Sequence, residues 1–75
     1  MVKAYIRLDT LDDISRLHNA AKDCQFDLVL ESGAIRVDPK SLLGIFGIGT
    51  KKTAALVTKN GDKKIFLEKF GDFIA

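Results

Sequence analysis

Residues 37–46 of the chain are Val-Asp-Pro-Lys-Ser-Leu-Leu-Gly-Ile-Phe, and this pattern predicts the start of a short helix. Asp38 suits the N-cap position, where a side-chain oxygen accepts a free backbone N–H group. Pro39 then occupies the first helical position, where its missing N–H group costs no hydrogen bond. Gly47 and Gly49 follow the apolar residues and end the helix. The segment is therefore a helix of about two turns.

Strands and helices alternate on both sides of this helix. Apolar residues at every second position predict strands, and apolar residues at helical spacing predict helices. Four segments are predicted strands. The first has Val2, Ala4, Ile6 and Leu8 on one face, and the second has Phe26, Leu28 and Leu30. The third is residues 34–37, after a turn at Ser32-Gly33, and the fourth is residues 52–58.

Two further segments are predicted helices. The first has the apolar stripe Leu11, Ile14, Leu17 and Ala21, and the capping pair Thr10 and Asp13 lies at its start. The last helix follows a cap in residues 60–62, and its apolar residues are Ile65, Phe66, Leu67, Phe70, Phe73 and Ile74. The order βαββαβα predicts a two-layer α/β sandwich with the helices on one face of the sheet.

The composition is that of a single domain covering residues 1–75. Of the 75 residues, 47% are hydrophobic and 29% are charged, with one proline. The single cysteine excludes an internal disulfide, and a domain of this size without disulfides is typical of a reducing cytoplasm. The first residues become charged too early for a signal peptide, and no apolar run reaches the ~18 residues of a membrane span. We therefore expect a cytoplasmic protein without a membrane partner.

The charges are spread along the chain. The net charge of +2 comes from 12 basic and 10 acidic residues, and the only basic pairs are Lys51–Lys52 and Lys63–Lys64. A nucleic-acid site usually has a concentrated basic face with aromatic side chains for stacking, whereas these aromatics have core-like spacing. We therefore expect no nucleic-acid partner, and a small nucleic-acid-binding module is the least favoured alternative.

The helix at residues 37–46 resembles the second-helix signature of the HPr family, in which Lys-Ser is followed by two apolar residues, Gly and two more apolar residues. The chain length and the βαββαβα order agree with that family. The resemblance implies an α/β (α+β) fold, an open-faced two-layer sandwich of four antiparallel strands with three helices on one face. HPr proteins carry phosphate on a histidine in the bacterial sugar phosphotransferase system, and they are not enzymes.

The residues that carry this chemistry in the family are missing here. The family's active histidine lies between the first strand and the first helix, within Gly-(Ile/Leu)-His-x-Arg-Pro. The corresponding position falls on Thr10, Leu11 or Asp12, and residues 8–14 contain no His, Gly, Arg or Pro. A phosphoryl group at a helix start is held by free backbone N–H groups, whereas Thr10 can occupy these donors here. The carboxylates of Asp9, Asp12 and Asp13 would also repel phosphate. We therefore expect a non-catalytic, regulatory HPr-like protein without a cofactor.

Ser41 aligns with the serine that a dedicated kinase phosphorylates in HPr and in its regulatory relative Crh, which also lacks the active histidine. A phosphate in the first helical turn would find free N–H groups, although Asp38 competes for them. The structural alternative is an ordinary serine at a helix start. A Crh-like regulator phosphorylated on Ser41 is the first alternative function.

Leu43, Phe46 and Gly47 form a candidate partner interface. Leu43 and Phe46 share one helix face, Leu42 and Ile45 share another, and a two-turn helix cannot bury both pairs beneath one sheet. Leu43 and Phe46 match positions that dock partner proteins in the family, although Phe46 could equally fill the core. The partners implied are phosphotransferase-system components, the HPr kinase or a transcription regulator. The sequence does not determine the oligomeric state.

The other chemically notable residues favour structural roles. His18 lies inside the first helix, about two turns from its N-terminal donors, so a phosphocarrier using His18 is a disfavoured alternative. Cys24 has no His or Cys partner nearby in sequence, which indicates a buried structural thiol. Gly44, Gly47 and Gly49 lack the spacing of a phosphate-binding loop. No group of side chains has metal-ligand spacing, and we expect no metal.

Overall fold

The computed structural model describes residues 1–75 as four strands and three helices. The strands are β1 (Val2–Leu8), β2 (Val29–Ser32), β3 (Ile35–Val37) and β4 (Lys52–Thr58). The helices are α1 (Leu11–Lys22), α2 (Leu42–Ile48) and α3 (Lys63–Phe70), and α3 is followed by a 3₁₀ turn, Gly71–Phe73. The order of elements is the predicted βαββαβα.

The strands form one antiparallel sheet in the order β1-β4-β2-β3. Val2 pairs with Thr58 and Leu8 with Lys52, so β1 and β4 are matched along their whole length. Gly33, at a φ of 60°, makes the tight turn between β2 and β3 because glycine adopts positive φ without strain. The predicted open-faced α/β sandwich is confirmed.

The core lies between the inner face of the sheet and the helices. It combines alternate residues of the strands with the apolar stripe of each helix: Ile6, Leu8, Leu30, Ala54 and Leu56 from the sheet, and Ile14, Leu17, Ile45, Ile48, Phe66 and Phe70 from the helices. Phe66 and Phe70 have ring centroids 5.3 Å apart in a tilted arrangement that favours aromatic pairing. On the opposite face, Lys3, Tyr5 and Arg7 are exposed.

The predicted start of α2 at Asp38 is wrong. The N-cap is Ser41, whose Oγ accepts the N–H of Gly44 at 3.4 Å. Asp38 caps a preceding turn, in which its carboxylate accepts the N–H of Lys40 at 2.9 Å and its carbonyl accepts the N–H of Ser41. Pro39 is fully buried ahead of the helix. An aspartate can cap a turn as well as a helix, so its sequence position does not distinguish the two roles.

The second strand begins at Val29, three residues later than Phe26, where the alternation predicts its start. Val29 pairs with Val57, next to the end of β4 at Thr58, so residues before Val29 have almost no strand left to pair with. Thr58 instead accepts the N–H of Gly61 through its hydroxyl at 3.0 Å as the chain turns towards α3. The length of the neighbouring strand therefore limits β2.

The C-terminal helix is shorter than predicted. α3 ends at Phe70, and after the 3₁₀ turn Ile74 is extended and forms an antiparallel bridge with Ile6. The N–H of Ala75 donates to the carbonyl of Tyr5 at 3.0 Å. Pairing with the edge of β1 requires extended backbone, so the helix cannot continue through Ile74.

Candidate functional site

The start of α1 is closed by a reciprocal capping box. Thr10 is extended at the N-cap, and its hydroxyl accepts the N–H of Asp13 at 3.2 Å. In return, Asp13 Oδ2 accepts the N–H groups of Thr10 at 3.1 Å and of Asp9 at 2.9 Å. The backbone donors that a bound anion would need at this end are therefore partly occupied by the protein's own side chains.

The same end of the helix is negatively charged. The hydrogen bonds from the N–H groups of Asp9 and Thr10 hold the pKa of the Asp13 carboxyl below its ordinary value, outweighing the small effect of desolvation. Asp9 accepts a hydrogen bond from Arg7 at 2.7 Å, and Asp13 lies 3.5 Å from Arg16. Asp12 is exposed and forms no ion pair. Asp13 is ionised at neutral pH, so an incoming phosphate would meet like charge.

Leu11 lies between Thr10 and Asp12, and the helical stripe predicts it to be buried, but it is 64% exposed. Ile14, Leu17 and Ala21 are buried on one side of α1. At 3.6 residues per turn, Leu11 is rotated by about 90° from the centre of that stripe. The spacing of the apolar residues does not show this, because four residues at helical spacing can include one that lies at the edge of the buried side of the helix.

His18 is part-buried in the middle of α1. Its Nδ1 lies 3.3 Å from the carbonyl oxygen of Pro39, so the ring joins α1 to the loop before α2. Eight residues separate it from Thr10, or about 12 Å along the helix axis. His18 therefore has a structural partner and lies far from the helix start. Cys24 is a free thiol and is buried, as predicted.

The exposed surface of α2 is apolar. Leu43 is 82% exposed and Phe46 44% exposed, and Gly47 is exposed beside them. We call these three residues the α2 face. Ile45 and Ile48, on the opposite side of the helix, belong to the core. Phe46 therefore does not fill the core, which the sequence left as an equal alternative.

The connectivity places the C-terminal end of α2 and the start of α1 at the same end of the sheet. α2 ends at Ile48, four residues before Lys52, and Lys52 pairs with Leu8, three residues before the start of α1 at Leu11. The α2 face carries no concavity. Four cavities lie elsewhere, and the largest, about 440 Å³, is lined mainly by residues of β2 and β3 and the segments beside them.

The described side chains include no cluster suited to holding a metal ion. None of the helices has the length and apolar character needed to cross a membrane.

Two solved structures share this architecture over almost the whole chain. An HPr protein (HPr-C-His) from Thermoanaerobacter tengcongensis matches with a TM-score of 0.80 at 17% identity, covering 99% of this chain and 91% of that one. This chain has the HPr fold. The phosphocarrier protein HPr from Bacillus anthracis also has the HPr fold and matches with a TM-score of 0.76 at 18% identity, covering 99% and 96% of the two chains. No family model and no curated protein matches the sequence.

Proposed function

We propose that this chain is a cytoplasmic, single-domain member of the HPr family that does not carry phosphate on histidine, is not an enzyme, and acts through contacts with other proteins. The observation that carries the proposal is the capping box at the start of α1, where Thr10 and Asp13 use backbone donors at the place where an HPr phosphocarrier keeps its histidine. The HPr fold of the chain supports the family.

The start of α1 is poorly suited to holding a phosphoryl group. A phosphorylated histidine at a helix start is stabilised by free N–H groups and by the positive end of the helix dipole. Here the Asp13 carboxylate already accepts two N–H groups. Asp12 adds a negative charge that no ion pair offsets, whereas the charge of Asp9 is offset by Arg7. None of residues 9–13 is a histidine, and the only histidine, His18, contacts Pro39 instead.

Contact with other proteins is supported by the α2 face. When a partner covers an exposed leucine and phenylalanine on one short helix, their apolar surface is removed from water, which favours binding. By resemblance to the HPr family, the partners are phosphotransferase-system components or a transcription regulator. The α2 face stays available because Ile45 and Ile48 alone anchor the helix to the core.

Incubation with phosphoenolpyruvate and the first enzyme of the phosphotransferase system tests the proposal. The Bacillus anthracis HPr serves as positive control, and intact-mass spectrometry follows both proteins. We expect no change in the mass of this chain. Gain of one acid-labile phosphate would refute the proposal, and loss of that phosphate in His18→Ala would then identify His18 as the carrier.

Regulation at Ser41 is a second candidate, favoured by one observation. The carboxylate of Asp38 accepts the backbone N–H of Lys40, so it does not compete with Ser41 for the donors of α2. Ser41 is exposed, and its Oγ lies 3.4 Å from the N–H of Gly44. A phosphate on this oxygen would lie beside that donor and near the positive end of the helix.

The HPr kinase with ATP tests this second candidate. We expect one added phosphate on the wild type and on Ser15→Ala, a matched change at an exposed serine of α1, but none on Ser41→Ala. An unmodified wild type, or phosphate retained by Ser41→Ala, would exclude regulation at this residue.

A further inference from the structure

Asn60 and Gly61 are neighbours in the loop between β4 and α3. Asparagine is a thermolabile residue, and its side-chain amide is lost most readily when glycine follows, because glycine has no side chain to hinder attack by its own nitrogen. Asn60 is exposed and lines a cavity of about 380 Å³, so water reaches its amide. The other asparagine, Asn19, lies inside α1 and is followed by alanine. Asn60 is therefore the more reactive asparagine of the unfolded chain.

Loss of this amide, or deamidation, requires a free backbone nitrogen at Gly61. Hydroxide removes the proton from that N–H group, and the nitrogen attacks Cγ of Asn60. The new bond closes a succinimide ring, the bond between Cγ and Nδ2 breaks, and ammonia leaves with a proton taken from water. Water then opens the ring at either carbonyl and gives aspartate or isoaspartate. The reaction needs no co-reactant besides water and hydroxide.

The fold ties up the nitrogen that would attack. The N–H of Gly61 donates to Oγ1 of Thr58 at 3.0 Å, and Thr58 is only 1% exposed. The backbone of Gly61 is also closely packed, because a Cβ at this position would lie 2.7 Å from Phe26 Cδ1 and 2.8 Å from the Thr58 side chain. A backbone rotation that brings Asn60 Cγ to this nitrogen must therefore work against both the hydrogen bond and the packing.

We propose that Asn60 is a site of spontaneous deamidation whose rate is set by opening of the hydrogen bond between Gly61 and Thr58. The reaction then proceeds mainly from molecules in which this turn has opened. Isoaspartate at position 60 places an extra carbon in the backbone two residues before Asp62, the N-cap of α3, whose Oδ1 accepts the N–H of Ile65 at 3.1 Å. The modification therefore marks chains that have opened and weakens the start of α3, and it does not depend on the proposed function.

Peptide mapping by mass spectrometry tests the proposal on the full chain at mildly alkaline pH. We expect Asn60 to deamidate in a urea-unfolded sample and at least about tenfold more slowly in the folded chain, because the reactive open form is then a minor population. Asn19 is the internal control and should react more slowly than Asn60 in urea. Equal rates for Asn60 in the two samples would overturn the proposed protection, and an unreactive Asn60 in urea would overturn the site itself.

Two substitutions at Thr58 test the source of the protection. Thr58→Val keeps the branched shape of the side chain but removes the acceptor, so it should speed deamidation of the folded chain about threefold to tenfold. Thr58→Ser keeps the hydroxyl and should stay close to the wild type, and all three proteins should react equally in urea. Circular dichroism checks that the variants fold. A folded Thr58→Val that deamidates as slowly as the wild type would overturn the role of this bond.

Hydrogen exchange of the wild type tests the same bond without a substitution. The Gly61 amide should exchange at least about tenfold more slowly in the folded chain than in the urea-unfolded chain, since the same opening frees it. A Gly61 amide that exchanges at the unfolded rate would overturn the proposal, whether or not the Thr58 variants fold.

Discussion

Replacing Thr10 by alanine tests whether the capping box holds the start of α1. The substitution removes the hydroxyl that accepts the N–H of Asp13 at 3.2 Å, whereas the Asp13 carboxylate can still accept the N–H groups of Asp9 and Thr10. Loss of one such cap costs about 1 kcal/mol, within a range of roughly 0.5–2 kcal/mol. A chain of this length has a free energy of unfolding of about 4–11 kcal/mol, so the loss is measurable.

Thermal and urea unfolding followed by far-ultraviolet circular dichroism measure this loss. About 1 kcal/mol corresponds to a fall of roughly 4–8 °C in Tm for a domain of this size. The urea midpoint should fall, while the dependence of the unfolding free energy on urea stays constant because the same surface is exposed. Thr10→Ser keeps the hydroxyl and should restore most of the stability.

Two results would contradict the reasoning about Thr10. One is a Tm for Thr10→Ala equal to that of the wild type. The other is a fall in Tm as large for Thr10→Ser as for Thr10→Ala, which would assign the effect to the lost methyl group of threonine and not to the cap.

Three further predictions concern Asp13, α2 and Gly61. The pKa of Asp13 is lowered on folding, so ionised Asp13 stabilises the folded state above its ordinary pKa of 3.8, and this stabilisation is lost as the pH falls through the folded pKa. The difference in urea midpoint between wild type and Asp13→Asn should therefore shrink in acid. A difference that does not change with pH would contradict this. Ile45→Ala should cost about 2–5 kcal/mol of unfolding free energy, but Leu43→Ala less than about 0.5, and equal costs would mean that the buried side of α2 is misassigned. Gly61→Ala should destabilise by about 1–3 kcal/mol, because the new Cβ would lie 2.7 Å from Phe26 Cδ1, and a neutral effect in the same unfolding assay would contradict this close packing.

The sequence by itself determined the order of the elements and most of their caps. The Thr10–Asp13 spacing, the turn at Gly33 and the cap before α3 act between residues close in the chain, so their signals are local. The absence of histidine from residues 8–14 also needs no coordinates.

Tertiary structure decided where several elements begin and end. β2 starts at Val29 because β4 ends at Thr58, and the C-terminal helix stops because Ile74 pairs with β1. Residues 54–58 of β4, a central strand, are buried on both faces, a consequence of strand order that the alternating pattern does not show. These boundaries depend on partners far away in the chain, and local propensity does not report them.

For the candidate site too, the sequence determined some features and the tertiary structure decided others. The residue types at Leu43, Phe46 and Gly47 predict a partner interface on α2, which stays a prediction. The sequence placed the cap at Asp38, where the structure has Ser41, and it left Phe46 between core and surface. It also counted Leu11 among the buried residues. Whether an apolar side chain on a short or terminal helical turn is buried depends on the rotation of that turn against the sheet. Packing of the whole domain sets that rotation, so only the folded chain shows which apolar groups remain exposed.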